Sequence, residues 1–219
     1  KEAARVIITE LRRQRRSLYR LMLDGAEGPL VDVRTFDDSP YCVGGAISEE
    51  ELALLLAHAE RRRAYDKGLY LLSLRDYGRV ELIRKLTTEY PRPVAEEAVE
   101  RLCEERLIDD ERYAFRLAER GRESRHWSRG RIRQELMRRG IDRATADEAV
   151  AALPDDEAEQ ALLLIEKSYR SKMDDRESRQ KVMAALARRG FGYGTVKAAF
   201  SMFDEERDEE PDGMPDEWN

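Results

Sequence analysis

Residues 124–141 read SRHWSRGRIRQELMRRGI, a stretch that crowds arginine around a single tryptophan. Guanidinium groups are planar, forked donors that grip phosphate oxygens in pairs. Trp127 or His126 beside them offers a ring face for stacking on a nucleobase. At about 100° per residue, the helical spacing puts Ile132 and Leu136 on an inward face. Arg131, Gln134 and Arg138 then share the outer face, and Arg129 and Arg133 line a flank. The chemistry of such a surface is polyanion binding, with nucleic acid as the natural ligand. Plainer readings stand beside this one. Arg131 precedes Glu135 by four residues, the spacing of an ordinary helical ion pair. Trp127 also suits a hydrophobic staple packed toward Ile132.

Other chemistry is thinly supported. His58 and His126 have no Cys or Asp partner at metal-ligand spacing. The pairs Asp109-Asp110 and Asp174-Asp175 are better suited to capping helices than to acid–base work. No phosphate-binding glycine loop, dinucleotide fingerprint or nucleophile elbow is present. The expectation is a protein without catalysis, cofactor or metal.

Charge is unevenly distributed. The 219 residues carry a formal net charge of -6, yet Arg112 to Arg143 is strongly basic and Asp204 to Asn219 strongly acidic. The acidic end, with Pro211, Gly213 and Pro215, reads as a disordered tail. It would act as a solubilising terminus or as a decoy competing with nucleic acid for the basic stretch. Helix formers dominate, β-branched residues thin out after position 50, and the prior is an all-α body. Two cysteines, Cys42 and Cys103, are too few for a disulfide framework, which fits a reducing cytoplasm. No run of apolar residues is long enough for a membrane helix.

The elements that must carry the arginines follow from periodicity. Val6–Gln14 and Ser17–Gly25 read as two strands, with Leu23-Asp24-Gly25 as a turn signal. Arg12, Arg13, Arg15 and Arg16 would sit at the tip, and Val31, Val33 and Phe36 suggest a third strand. Ser48 and Glu51 form a capping box that opens the first long helix. Beyond it the chain repeats. Ile132, Leu136 and Gly140-Ile141 recur fifty residues later as Val182, Leu186 and Gly190-Phe191, and fifty earlier as Leu82, Leu86 and Tyr90-Pro91. Each set follows a longer helix, near 50–73, 110–123 and 155–172, and precedes a shorter apolar one. Gly140 and Gly190 fall where a helix end requires a left-handed residue. The fold class is therefore mainly α: an elongated, curved array of three tandem three-helix repeats behind a small β-rich module. The boundaries are 1–47, 48–106, 107–153, 154–203 and the tail 204–219. Arg131, Arg138 and Arg139 correspond to Lys181, Arg188 and Arg189, whereas repeat one has Glu81, Thr88 and Glu89 in those places. Repeats two and three thus face polyanion, and repeat one faces something else.

Leu107–Gly121, LIDDERYAFRLAERG, followed by Arg129–Ile141, RGRIRQELMRRGI, resembles the central repeat of the RecX family of bacterial recombination regulators. Leu23-Asp24-Gly25 with Ile47–Leu52, and Val182–Phe200, extend the resemblance across most of the chain. Repeat one departs from the pattern at Tyr90, where a glycine is expected, and the acidic tail has no counterpart in the core pattern. The resemblance implies a monomer that binds RecA, free or as a filament on single-stranded DNA, and restrains its ATPase and strand exchange. Arg122, Arg125, Trp127, Arg129, Arg131, Arg133, Arg138, Arg139, Lys181, Arg188 and Arg189 are the expected contacts to the filament or its DNA. The competing reading is a DNA-binding regulator that uses its three-helix units as helix-turn-helix modules.

Overall fold

The computed structural model describes residues 4–15 and 17–209. Arg16 of the expected arginine tip and residues 210–219 of the expected tail lie outside them. The chain divides into two compact units, 1–109 and 110–219.

The first unit opens with an antiparallel sheet. Its strands are β1 (Arg5–Arg15), β2 (Leu18–Leu23), β3 (Ala26–Asp32) and β4 (Ala46–Ser48), in the order β3-β2-β1-β4. Asp24 and Gly25 both take positive φ, 48° and 81°, the pairing a two-residue hairpin turn needs to match strand twist. β4 pairs only with Arg5 to Ile7, so β1 has no neighbour on its outer side from Glu10 to Arg15 among the described residues. The expected third strand is partly replaced. Val31 lies in β3, but Val33 and Phe36 fall in a short helix, α1 (Val33–Asp37). Asp32 causes the change, because its Oδ1 accepts the Thr35 N–H at 3.1 Å and starts a helical turn.

Helix α2 (Glu49–Leu74) serves two cores. Its Ser48/Glu51 capping box is formed, with bonds of 3.2 and 2.8 Å. Leu55 and Ala59 close the sheet core of Ile8, Leu21, Val31, Phe36 and Ile47. Ala64 and Leu71, one to three turns later, join Leu82, Leu86, Val99 and Leu102 from α3 (Arg79–Leu86) and α4 (Arg92–Glu104). Repeat one is therefore α2–α4. Its middle helix α3 gives way to Tyr90 without a left-handed residue, in keeping with the missing glycine.

The second unit holds two more three-helix repeats. The first is α5 (Asp110–Arg125), α6 (Arg129–Arg138) and α7 (Arg143–Ala151). The second is α8 (Glu157–Tyr169), continued by a 3-10 turn at Arg170–Lys172, then α9 (Arg176–Arg188) and α10 (Tyr193–Glu209). Ile132 and Leu136 centre one core, Val182 and Leu186 the other. Both middle helices stop the same way. Gly140 and Gly190 each have φ 92°, and the next residue, Ile141 or Phe191, donates back to Leu136 or Leu186 at 3.1 or 3.2 Å. That closes the helix end and buries the following apolar side chain. The chain is mainly α, built of three three-helix domains behind a small sheet, as expected. Helix α10, however, runs to Glu209, into the stretch expected to be tail. Asp204 is held there by both Nη atoms of Arg179, at 2.9 and 2.5 Å.

Candidate polyanion interface

The arginine-rich stretch begins where α5 ends. His126 turns the chain with φ 49°, and the Trp127 N–H donates to the Gly121 carbonyl at 3.0 Å. Gly121 matters for its size: a Cβ there would stand 3.0 Å from Trp127 Cε3 and 3.1 Å from Ile132 Cγ1. The indole can therefore lie down on α5, half-buried against the repeat-two core. Ser128 then caps α6, its Oγ accepting the Arg131 N–H at 3.1 Å. Two guanidiniums flank the indole: Arg125 Cζ is 4.9 Å and Arg131 Cζ 5.8 Å from the ring centroid. Cation–π attraction of this kind holds a cation in place without neutralising it.

The end of α9 completes the arrangement. The Ser128 N–H donates to the Arg189 carbonyl at 3.2 Å, and Arg189 Nη1 donates to the Arg125 carbonyl at 3.0 Å. Gly190 lies so close that an added Cβ would overlap Ser128 Oγ and approach Arg131 Cβ to 2.8 Å. Arg125, Arg131, Arg188 and Arg189 form no ion pair with any described carboxylate. Their charge stands open at a seam shared by two repeats, where low-dielectric protein on one side concentrates the field.

The other expected contacts are engaged within the protein. Arg122 pairs with Asp156 at the start of α8. Arg129 Nη1 pairs with Asp155 at 3.0 Å, its Nη2 donates to the Val150 carbonyl at 3.0 Å, and its backbone N–H donates to Glu157. Arg133 pairs with Asp147 at 2.5 Å, and Lys181 with Glu177 at 2.7 Å. Arg138 and Arg139 both bind Glu135, at 2.7 and 2.8 Å, and Arg139 also donates to the Tyr113 hydroxyl at 2.7 Å. The Arg138 and Arg139 guanidiniums hold the Glu135 carboxyl down to about 2 although burial opposes its ionisation. Glu135 is thus turned inward, and Arg131 does not pair with it. In repeat one, Glu81 pairs with Arg75 at 2.9 Å and Glu89 with Lys67 at 2.8 Å, so paired acids stand where repeats two and three carry cations.

Sequence spacing did not single out Arg189 as a partner of Arg125, because the two are 64 residues apart. Gly190 was a usable signal, since it marks a helix end that a neighbour can approach. No group of His, Cys, Asp and Glu among the described residues is arranged to hold a metal ion. No described helix is long and apolar enough to cross a membrane.

Comparison with known proteins agrees with this architecture. Three family models match in order: "RecX, first three-helix domain" over residues 64–102, the second over 109–150 and the third over 155–200. Regulatory protein RecX of Clostridioides difficile (strain 630) is 32% identical over 157 residues, covering 70% of this chain and 74% of the relative. Regulatory protein RecX of Trichlorobacter lovleyi is 35% identical over 143 residues, covering 62% of this chain and 92% of that one. Among solved structures, one described as the crystal structure of regulatory protein RecX superposes with a TM-score of 0.64 at 24% identity, covering 90% of this chain and 99% of its own. RecX from Lactobacillus salivarius gives 0.57 at 23% identity, covering 67% and 97%; both structures support the fold. With three matched domains in sequence order and a relative of this identity and coverage, the chain belongs to the RecX family.

Proposed function

We propose that this protein regulates homologous recombination and DNA repair by binding RecA, free or as its filament on single-stranded DNA. Binding restrains ATP hydrolysis and strand exchange. The observation that carries the reading is the open seam of Arg125, Arg131 and Arg189 beside Trp127, with Arg188 exposed next to Arg189 at the end of α9. Guanidiniums held by an indole and a backbone carbonyl, rather than by carboxylates, are ready to meet phosphate without first breaking an ion pair. Many modest contacts of this kind gain strength along a repeating lattice through effective concentration. They also make association salt-sensitive. Such a regulator needs an extended surface and no catalytic pocket.

The competing reading is a sequence-specific duplex binder with helix-turn-helix units. That use of α6 requires its first turn to reach base edges. Here the end of α9 packs on the cap of α6, through the Ser128 N–H to Arg189 carbonyl bond, and the exposed part of the first turn carries Gly130 and Arg131, a phosphate-binding cation and no base-reading amide. The arrangement favours backbone contact over base reading.

The test is a RecA ATPase assay on single-stranded DNA with substoichiometric protein. Strong inhibition is expected, relieved by combining Arg131→Glu with Arg189→Glu while helicity is unchanged. Glu81→Lys in repeat one should change inhibition far less. No inhibition, together with tight binding to one duplex sequence, would establish the competing reading instead.

A further inference from the structure

A second surface lies wholly within the first unit and is chemically opposite to the arginine seam. A groove of about 970 Å³ runs along one face of α2, walled by residues 35–41 and by α4. The α2 face presents Glu51, Leu54, His58, Arg62 and Tyr65, spaced as a continuous helical stripe. From Glu51 to Tyr65 it is about 21 Å long at 1.5 Å per residue. Leu54 is 65% exposed there, although its neighbour Leu55 is buried.

The groove is acidic in effect. Its three guanidiniums are already occupied. Arg61 pairs with Glu97 at 2.9 Å, and Arg62 with Asp38 at 2.7 Å. Arg101 pairs with Glu105 at 2.9 Å and lies over the Tyr65 ring. Asp66 and Glu104 line the same groove and form no ion pair with any described cation. Phosphate would be repelled here. A positively charged side chain would find two waiting carboxylates, and an aliphatic one would cover Leu54.

We propose that this groove docks a basic amphipathic helix of a protein partner, with an aliphatic anchor over Leu54 and its cations toward Asp66 and Glu104. A face about 21 Å long matches a helix of roughly fourteen residues. The repeat that lacks the positive seam would then hold protein, while the seam meets polyanion. The inference does not depend on the identity of the regulated recombinase.

The experiment uses the full chain and a fluorescein-labelled sixteen-residue helix of arginine and leucine, leucines on one face, read by anisotropy. Leu54→Asp should weaken binding about tenfold or more, the loss expected when one leucine is no longer withdrawn from water. It does so while adding negative charge, which simple attraction between opposite charges would reward. Asp66→Lys with Glu104→Lys should weaken it comparably, and Leu163→Asp on α8 should not matter. Unchanged or tighter binding with Leu54→Asp overturns the proposal. So does absence of binding at about 100 μM peptide, well above the range of ordinary docking helices. A single-stranded oligonucleotide displaced by Leu54→Asp, or a dimer dissolved by it, would assign the groove to nucleic acid or to a second copy and would equally overturn it.

Discussion

Glu135→Gln isolates what one inward-facing carboxylate contributes to repeat two. The side chain is 7% exposed and binds Arg138 and Arg139, of which Arg139 is 20% exposed. Its carboxyl, ordinarily near 4.5, is held at about 2, first by the Arg138 hydrogen bond and then by Arg139. That gap corresponds to roughly 3 kcal/mol, at about 1.4 kcal/mol for each tenfold in proton affinity. Because the folded value is depressed, the contribution is present above pH 4.5 and disappears as pH falls toward about 2. At pH 3 the folded carboxyl stays mostly ionised while the unfolded one is mostly protonated, so roughly 1 kcal/mol remains. Glutamine keeps one acceptor oxygen but turns an amide toward a half-buried guanidinium that has lost its counter-charge. Urea unfolding would be followed through Trp127 fluorescence, with Trp218→Phe in both proteins to remove the other indole. The expected loss is about 3 kcal/mol at pH 7, shrinking by half or more at pH 3. A loss below about 1 kcal/mol at pH 7, the size of a surface ion pair, refutes the argument. So does an equal loss at both pH values.

Gly190→Ala should destabilise the second unit by more than the roughly 1 kcal/mol of an ordinary left-handed alanine, because the methyl also meets Ser128 and Arg131. Gly194→Ala, with open space around it in α10, should be neutral or stabilising in the same unfolding assay. Ser48→Ala should lower stability by about 1 kcal/mol through loss of the α2 cap. Arg122→Ala should lower thermal stability and leave polyanion affinity nearly intact, while Arg125→Ala should do the reverse, as read by calorimetry and by oligonucleotide anisotropy. Removing residues 210–219 should raise affinity for bare DNA if those acids compete for the seam. A cut at 204 would also break the Arg179–Asp204 pair and confuse the result.

Much of the architecture is legible in the sequence because helices announce themselves locally. The apolar pairs Leu82/Leu86, Ile132/Leu136 and Val182/Leu186 mark three buried stripes, and Ser48, Ser128 and Asp175 mark helix starts. Helix α1 escaped because Val31 and Val33 have the two-residue spacing of a strand, while the Asp32 cap acts on the backbone between them. Helix α10 outlasted its expected end because Arg179 reaches Asp204 across 25 residues of chain. The same reason limited the reading of the candidate site. Arginine content was visible, but pairing is decided by the neighbouring helix. Arg122 finds Asp156 across 34 residues, and Arg133 finds Asp147 on α7. The spacing of Arg131 and Glu135 suggested a pair, yet Glu135 lies beside Ile132 and Leu136 on the buried face and turns to Arg138 and Arg139 instead. The groove on α2 was not legible at all, since its walls come from three separate segments.

The bond from Ser128 to Arg189 means that no single repeat owns the positive seam. A chain ending before α8 would keep Trp127, Arg125 and Arg131 but would lose the carbonyl that receives the Ser128 amide and the guanidinium that steadies the Arg125 backbone. Transplanting this surface onto another scaffold, or trimming the protein to a smaller inhibitor, would therefore require repeats two and three to travel as an inseparable pair.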